Sequence, residues 1–256
     1  MIGPLIGMVH LRALPGAPRF AGDLDAVLAA AVADARALAA AGFDAVLVEN
    51  FGDAPFFADD VPKVTVAALT RAVAEVRRAV EVPVGVNVLR NDALAALAVA
   101  AATGAAFIRV NVLSGTMSTD QGVITGRAAE VARFRAALGA PVLVLADVFV
   151  KHATPPAGLT LEQAAVDAWE RSGADGLIVT GSGTGKPASL DDVARVKAAA
   201  HGATVFVGSG VEAATVAEVL RRADGAIVGT ALKHGGKVAA PVDPERARAL
   251  VAAARR

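Results

Sequence analysis

The chain has 256 residues, of which 55% are hydrophobic, with Lys+Arg and Asp+Glu at 25 each, no cysteine and no tyrosine. Balanced charge and 4% aromatics argue against a nucleic-acid surface, basic or base-stacking. The missing cysteines exclude disulfides, thiolate nucleophiles and cysteine metal sites, and leave the redox compartment open. No apolar run approaches the roughly 18 residues of a membrane span. Met1 to His10 is apolar but has no basic lead and no small-residue exit, so it reads as a buried first strand rather than a signal peptide. A cytoplasmic protein is expected.

In chain order, short β-branched apolar runs alternate with stretches of helical period. The runs are Leu5–Val9, Ala45–Val48, Val84–Val88, Phe107–Val110, Val142–Ala146, Gly176–Val179, Thr204–Val207 and Gly225–Val228. Continuous rather than alternating hydrophobicity suits parallel strands buried on both faces. Between them, Leu24, Val27, Leu28, Ala31, Ala35 and Leu38 form one helical stripe. Val66, Leu69, Val73, Val76 and Val80 form another, and Val131, Phe134 and Leu138 a third. Asp23, Asp92 and Ser189 stand at N-cap positions. Gly42, Gly104, Gly173 and Gly225 stand in the turns that lead into strands, where a left-handed helix stop is expected.

Eight such units, each about 32 residues long, predict one (β/α)8 barrel (TIM barrel, α/β class), a single domain over residues 1–256. Four long connections, His10–Gly22, Asn50–Pro62, Asn111–Thr125 and Val148–Thr160, read as irregular and lie at one end of the barrel. Loops of that length usually cover a site.

The C-terminal ends of barrel strands converge on one mouth. The exits there carry His10, Glu49 with Asn50, Asn87 with Arg90, Arg109 with Asn111, and Asp147 with Lys151 and His152. Thr180 follows the sixth strand, Gly208-Ser209-Gly210 the seventh, and Gly229-Thr230 the eighth. The Gly208–Gly210 stretch is read as opening a helix that contains Glu212 and Val216. Glycines permit close backbone approach, and a helix start offers free N–H groups to an anion. Together with Gly229-Thr230 this predicts a phosphate grip; the plainer alternative is that the glycines only turn the chain.

Two motif look-alikes fail on context. Gly208–Ala213 fits a loose dinucleotide fingerprint but sits on the seventh strand without the acidic residue that should follow. Gly181–Lys186 lacks the first glycine and the Ser/Thr of a P-loop. It reads better as a flexible loop over the mouth whose Lys186 reaches an anionic ligand.

Glu49, Asp147, Lys151 and His152 are the candidates for acid–base work, because carboxylate–cation pairs in a barrel mouth can exchange protons near neutral pH. His10, Asn87, Arg109, Asn111, Thr180 and Lys186 are the candidates for holding substrate. Structural roles also stay open: a Glu49–Arg109 salt bridge, Asp147 holding Lys151 or Asn111, and His152 as an exposed loop histidine. No cofactor is expected. A divalent metal at His10, Glu49, Asp147 and His152 is a weaker alternative, since their spacing is no metal motif. His201 and His234 are assigned to the surface or a loop. Phe51, Phe56 and Phe57 cluster in one loop and either cap the barrel, pack against a second subunit or mark a partner surface. The expected partners are a small phosphorylated ligand and, as a homo-oligomer, further copies of the chain.

At this point the motifs resemble the BtpA/SgcQ family along essentially the whole chain. The likeness rests on Gly7–Leu11 with Leu14–Pro18, Val48–Asp53 with Pro55-Phe56, Gly85–Asp92 and Phe107–Asn111. It continues through Asp147-Val148 with Lys151-His152, Thr180-Gly181 with Thr184-Gly185, Gly208–Val211, and Asp224–Thr230 with Lys233. The resemblance implies a ribulose-phosphate-binding type of barrel. The family is named for a role in photosystem I biogenesis, which implies peripheral membrane association; relatives in bacteria without photosystems imply a general metabolic reaction. The expected activity is an isomerase or epimerase acting on a sugar phosphate or nucleoside-like phosphate. The alternatives are a non-catalytic assembly factor, or a lyase or glycosidic-bond-cleaving enzyme, and a Schiff base through Lys151 is a further variant.

Overall fold

In the computed structural model, which describes residues 2–256, all eight apolar runs are strands. They are β1 (Leu5–His10), β2 (Ala45–Glu49), β3 (Val84–Asn87), β4 (Phe107–Val110), β7 (Leu143–Asp147), β9 (Gly176–Val179), β10 (Val205–Val207) and β11 (Gly225–Val228). They pair in parallel in that order, and β11 closes on β1. Eight helices lie between or after them: α1 (Leu24–Ala41), α2 (Lys63–Ala79), α3 (Ala93–Thr103), α4 (Ala128–Leu138), α5 (Leu161–Val166), α6 (Leu190–Ala199), α7 (Val216–Arg222) and α8 (Pro244–Ala254). The molecule is a (β/α)8 barrel.

Local chemistry sets the helix ends. Asp23, Asp92 and Ser189 each accept a hydrogen bond from the backbone N–H three residues on, in the first turn of the helix that follows. Gly42 and Gly104 end α1 and α3 in the left-handed conformation. Gly225 behaves differently: it is the first residue of β11, and its missing side chain makes room for Phe206, whose ring would lie 2.5 Å from an added Cβ. The same fit recurs inside the barrel, where an added Cβ on Gly85 would meet Phe107 at 2.2 Å. A large ring opposite a glycine fills the barrel axis without overpacking.

Side-chain parity along the strands divides the core. Ile6, Met8, Ala45, Leu47, Phe107, Leu145, Ile178, Phe206 and Ile227 point inward and pack on one another. Their neighbours, among them Val9, Val46, Val48, Ile108, Val144 and Val205, point outward under the helices. On the same inward parity, two residues beyond Met8, Leu47, Gly85, Phe107 and Leu145, stand His10, Glu49, Asn87, Arg109 and Asp147. The polar ring is therefore the topmost layer of the barrel interior.

Three sequence expectations need correction. The connection after β4 is not irregular: β5 (Thr116–Thr119) and β6 (Gly122–Thr125) form a hairpin, and β8 (Ala153–Thr154) from the next connection pairs with its first strand. Met117 and Ile124 on one face of it, with Val112 and Val150, form a small separate core. The helix after β10 starts at Val216, so Glu212 lies in the turn before it. In α4 Val131 is buried and Phe134 is partly buried against the core, but Leu138 is exposed, so the third stripe is only partly covered.

Candidate active site

The strand register builds the ring side by side. His10 is level with Glu49, Glu49 with Asn87, and Asn87 with Arg109. Glu49 is buried and accepts from Asn87 Nδ2 at 2.7 Å, and its other oxygen lies 3.8 Å from His10 Nε2. Its structural partner is thus Asn87, not Arg109. Arg109 instead turns to Asp147, with Nε donating to Oδ1 and Nη2 to Oδ2, both at 3.0 Å. Asn111 Nδ2 donates to the same Oδ2 at 2.8 Å, so Asp147 holds Asn111 and Arg109, and Lys151 stays free of it. This fork is a rigid, charge-assisted contact.

His10 packs against Phe51 with ring centres 4.9 Å apart, and its Nδ1 is buried without a partner. Burial, with Lys233, Lys151 and Arg109 nearby, holds its pKa well below the usual histidine value, so the ring is neutral at pH 7. Lys151 is half-buried in the mouth. Burial chiefly, then the positive Arg109, lowers the pKa of its amine, while Glu49 and Asp147 oppose the shift. Arg90, also buried, donates to the Lys151 carbonyl at 2.7 Å and fixes this segment.

Two cavities meet at Lys151 and Thr184, which line both. The smaller, about 120 Å³, lies against β10 and β11 and is walled by Gly208, Ser209, Gly210, Val211, Gly229, Thr230 and Ala231, with His10 and Arg109 at its base. The backbone N–H groups of Gly210, Val211, Thr230 and Ala231 have no hydrogen-bond partner among the described residues. Arg246, reaching in from α8 with its Nε on the Ala231 carbonyl at 2.8 Å, adds positive charge; Glu212 adds a carboxylate to the same wall. The larger cavity, about 370 Å³, is lined by Glu49, Phe51, Phe56, Arg90, Asp120, Gln121, Lys151 and His152.

The glycines also have packing reasons. An added Cβ would reach Ile178 Cγ2 at 2.5 Å from Gly208, the Pro187 backbone at 2.2 Å from Gly210, and His10 Cε1 at 2.9 Å from Gly229. Ser209 is buried and accepts from the Gly181 N–H at 2.6 Å, which ties the loop after β9 to the glycine loop after β10.

The mouth thus brings together His10, Glu49, Asn87, Arg109, Asn111, Asp147 and Lys151, with the glycine loops beside them. Thr180 is turned away, donating to the Phe149 carbonyl at 2.9 Å. Lys186 is exposed and lines neither cavity. His152, at φ 57°, is exposed at the rim, where its Nε2 accepts from the Thr184 N–H at 3.1 Å. The four residues considered for a metal do not converge: among the described residues no three His, Asp or Glu side chains form a ligand set. His201 and His234 are exposed, and no helix among the described residues is long and apolar enough to cross a membrane. Phe51 and Phe56 cap the mouth, while Phe57 is 59% exposed.

Sequence reasoning did not place Arg246, Thr184, Asp120 or Gln121 in the site. Arg246 arrives from α8, and Asp120 and Gln121 from the hairpin turn, so no strand exit points to them.

Comparison with known proteins supplies the family. The BtpA family model matches residues 1–256. A Synechocystis protein named photosystem I biogenesis protein BtpA is 46% identical over 250 residues, 98% of this chain and 87% of that one. An uncharacterized protein of Thermococcus kodakarensis is 49% identical over 250 residues, covering 97% of this chain and 94% of its own. Among solved structures, a Mycobacterium tuberculosis tryptophan synthase chain superposes with a TM-score of 0.63 at 21% identity, covering 99% of this chain and 93% of its own, a likeness of fold. With a family model spanning every residue and relatives near half identity over almost the whole length, this chain belongs to the BtpA family.

Proposed function

We propose that the protein is an enzyme acting on a small phosphorylated metabolite, with isomerisation or epimerisation next to a carbonyl as its reaction. The observation that carries this reading is the set of unpaired N–H groups, among the described residues, at Gly210, Val211, Thr230 and Ala231, four residues that line a cavity sharing Lys151 with the chamber of Glu49. Converging backbone donors with an adjacent guanidinium suit a phosphate dianion. In this reading the phosphate sits in the smaller cavity and the reacting carbons lie in the larger one. Glu49, held by Asn87, takes a proton from the carbon beside the carbonyl. Lys151 and neutral His10 face the oxygen on which negative charge develops, a large electrostatic contribution to such reactions. Asp147 acts differently: with both oxygens engaged, it fixes Arg109 and Asn111 as the polar floor.

The test is thermal denaturation in the presence of ribose 5-phosphate, dihydroxyacetone phosphate and nucleoside monophosphates. A ligand of the grip raises the melting temperature. Thr230→Glu and Arg246→Glu, which place carboxylates at the cavity, should abolish that rise. Absence of a shift with every phosphorylated compound, in a folded wild-type protein, would sink the reading.

A second reading, a non-catalytic assembly role like that in the name of the Synechocystis relative, is favoured by one observation. Phe57 is exposed on the loop after β2, close in sequence to Val64, itself 45% exposed. Phe57→Asp should then abolish association with a partner while leaving ligand-induced stabilisation intact.

A further inference from the structure

Two lysines of this barrel, buried Lys233 and half-buried Lys151, are placed in opposite ways. Lys233 is 1% exposed and donates to Asp34 Oδ2 at 2.6 Å, deep between α1 and the chain after β11. Its charge is neutralised and it faces no cavity. Lys151 has no carboxylate or carbonyl acceptor within hydrogen-bond distance of its amine among the described residues, and it stands at the junction of the two cavities of the mouth. Its carbonyl is clamped by Arg90, so the side chain is offered from a fixed backbone. Arg109 stands beside it, held by Asp147, and Glu49 lines the same chamber.

A lysine used only to balance charge would gain from a carboxylate partner. A lysine that must attack carbon needs the reverse: a free amine, a neighbouring cation that disfavours its protonation, and open space in front of it. Lys151 has all three. Burial and Arg109 both push its amine toward the neutral form.

We propose that Lys151 is a nucleophile that forms an imine with the carbonyl carbon of a phosphorylated aldose or ketose held in this mouth. This rests on the phosphate-ligand reading above and replaces the contact of Lys151 with the carbonyl oxygen by a covalent bond to the carbonyl carbon. The amine nitrogen adds to the carbonyl carbon as the C=O double bond opens, giving a carbinolamine. The carbon–oxygen bond then breaks, and the oxygen leaves as water carrying the two hydrogens of the amine. Glu49, which lines the same chamber, carries a proton from nitrogen to the departing oxygen. Glu49, reprotonated from solvent, gives that proton to the imine nitrogen to form the iminium, which makes the adjacent C–H acidic; the carboxylate so regenerated then removes the C–H proton and leaves an enamine. No oxidant, reductant or metal enters the balance.

The experiment is reductive trapping. Full-length protein is incubated with dihydroxyacetone phosphate, glyceraldehyde 3-phosphate or ribose 5-phosphate, and sodium borohydride is added. Intact mass and peptide mapping follow. The expected result is one added molecule of probe, less its carbonyl oxygen, on the peptide that carries Lys151. Labelling should fall to the level of the exposed Lys63 and Lys237 when Lys151 is changed to Met, and inorganic phosphate should slow it. Lys151→Met is checked by its own cooperative melt; Lys151→Arg, which keeps the charge but has no nucleophilic amine, serves as a second variant and should be equally unlabelled. Labelling spread over exposed lysines, or unchanged in both variants, overturns the imine. The melting temperature read with the same probes separates the two claims. A probe that stabilises the protein yet leaves no adduct overturns the imine and spares the phosphate reading; no stabilisation and no adduct overturns both.

Discussion

Arg109 and Asp147 face each other from adjacent barrel strands as a two-point ion pair, guanidinium on carboxylate, with both contacts at 3.0 Å and neither side chain open to solvent. The fork spends both oxygens of Asp147, whereas Glu49 has one oxygen bound to Asn87 and the other 3.8 Å from His10 Nε2. The arrangement also makes a sharp stability prediction. Removing one partner of a buried pair strands the other charge, which typically costs about 3–5 kcal/mol. Arg109→Leu should lower stability by that amount in urea denaturation. Arg109→Lys, which keeps the charge but cannot make the fork, should fall between the two. A Leu variant as stable as wild type would mean that the pair holds nothing in place.

The second buried pair predicts a coupling between stability and the grip. Asp34 on α1 accepts from Lys233 Nζ at 2.6 Å and from the Val242 N–H at 2.8 Å, so one carboxylate anchors the chain after β11 at two points. Asp34→Ala should cost about 3–5 kcal/mol, since it leaves a buried ammonium. The double variant Asp34→Leu/Lys233→Met should recover much of the loss, because the uncompensated charge is gone. The same segment begins at Thr230 and Ala231, so in Asp34→Ala the melting-temperature rise with ribose 5-phosphate should shrink as well. A double-mutant cycle in urea, with the ligand response read on each corner, checks both.

Much of this was readable from the sequence because the barrel interior has a strict period of two. His10, Glu49, Asn87, Arg109 and Asp147 each follow an inward-facing apolar or glycine position by two residues, so apolar runs with a polar end already mark a ring. What the runs cannot encode is which neighbour each ring member chooses. Glu49 pairs with Asn87 and not Arg109 because strand register sets them level while the Arg109 fork finds a better-shaped partner on its other side. The β5–β6 hairpin was missed for a different reason. Its strands are four residues long, each carries a single buried apolar side chain, and Thr and Ser make up much of the rest, so the alternation is too short to stand out from a loop. Arg246 is not marked by the strand runs because it lies inside helix α8, 15 residues beyond the Ala231 carbonyl that it contacts.

His10 gives a signed pH prediction. Its pKa lies well below the usual value of 6.5, chiefly through burial. Between those two values the unfolded chain binds the proton and the folded chain refuses it, so stability rises with pH across that window and falls as pH drops below about 6.5. His10→Gln should flatten this slope. Urea titrations between pH 7 and pH 5.5 check it, and equal slopes in the two proteins would contradict the neutral, buried ring.

Lys151 gives the alkaline counterpart. Its pKa is lowered from 10.5, by burial first and Arg109 second. Below its folded pKa the ammonium burdens the folded state in full; from there up to 10.5 the burden is released, since the unfolded chain still holds the proton. Lys151→Met never carries it. The variant should therefore be more stable than wild type at pH 7, and the gap should close as pH rises toward 10.5. Melting temperatures of both proteins across that range give the test; a gap that widens with pH would reverse the sign and remove the case for a deprotonated amine.

Gly229 ties the two halves of the site together. It follows β11, its peptide leads into the N–H groups of Thr230 and Ala231, and a Cβ placed on it would lie 2.9 Å from His10 Cε1 and 3.4 Å from Met8 Cγ. Gly229→Ala therefore cannot be accommodated without moving the His10 ring, which is already held between Phe51 at 4.9 Å and Glu49 at 3.8 Å. Overpacking of this kind usually costs about 1–3 kcal/mol. The diagnostic consequence lies elsewhere: the displaced ring intrudes on the smaller cavity, so the response to ribose 5-phosphate should fall by more than the lost stability accounts for. Comparing Gly229→Ala with Leu143→Ala, a change at the opposite end of the strands, separates the two effects. Equal ligand responses at equal stability would show that the glycine serves packing alone.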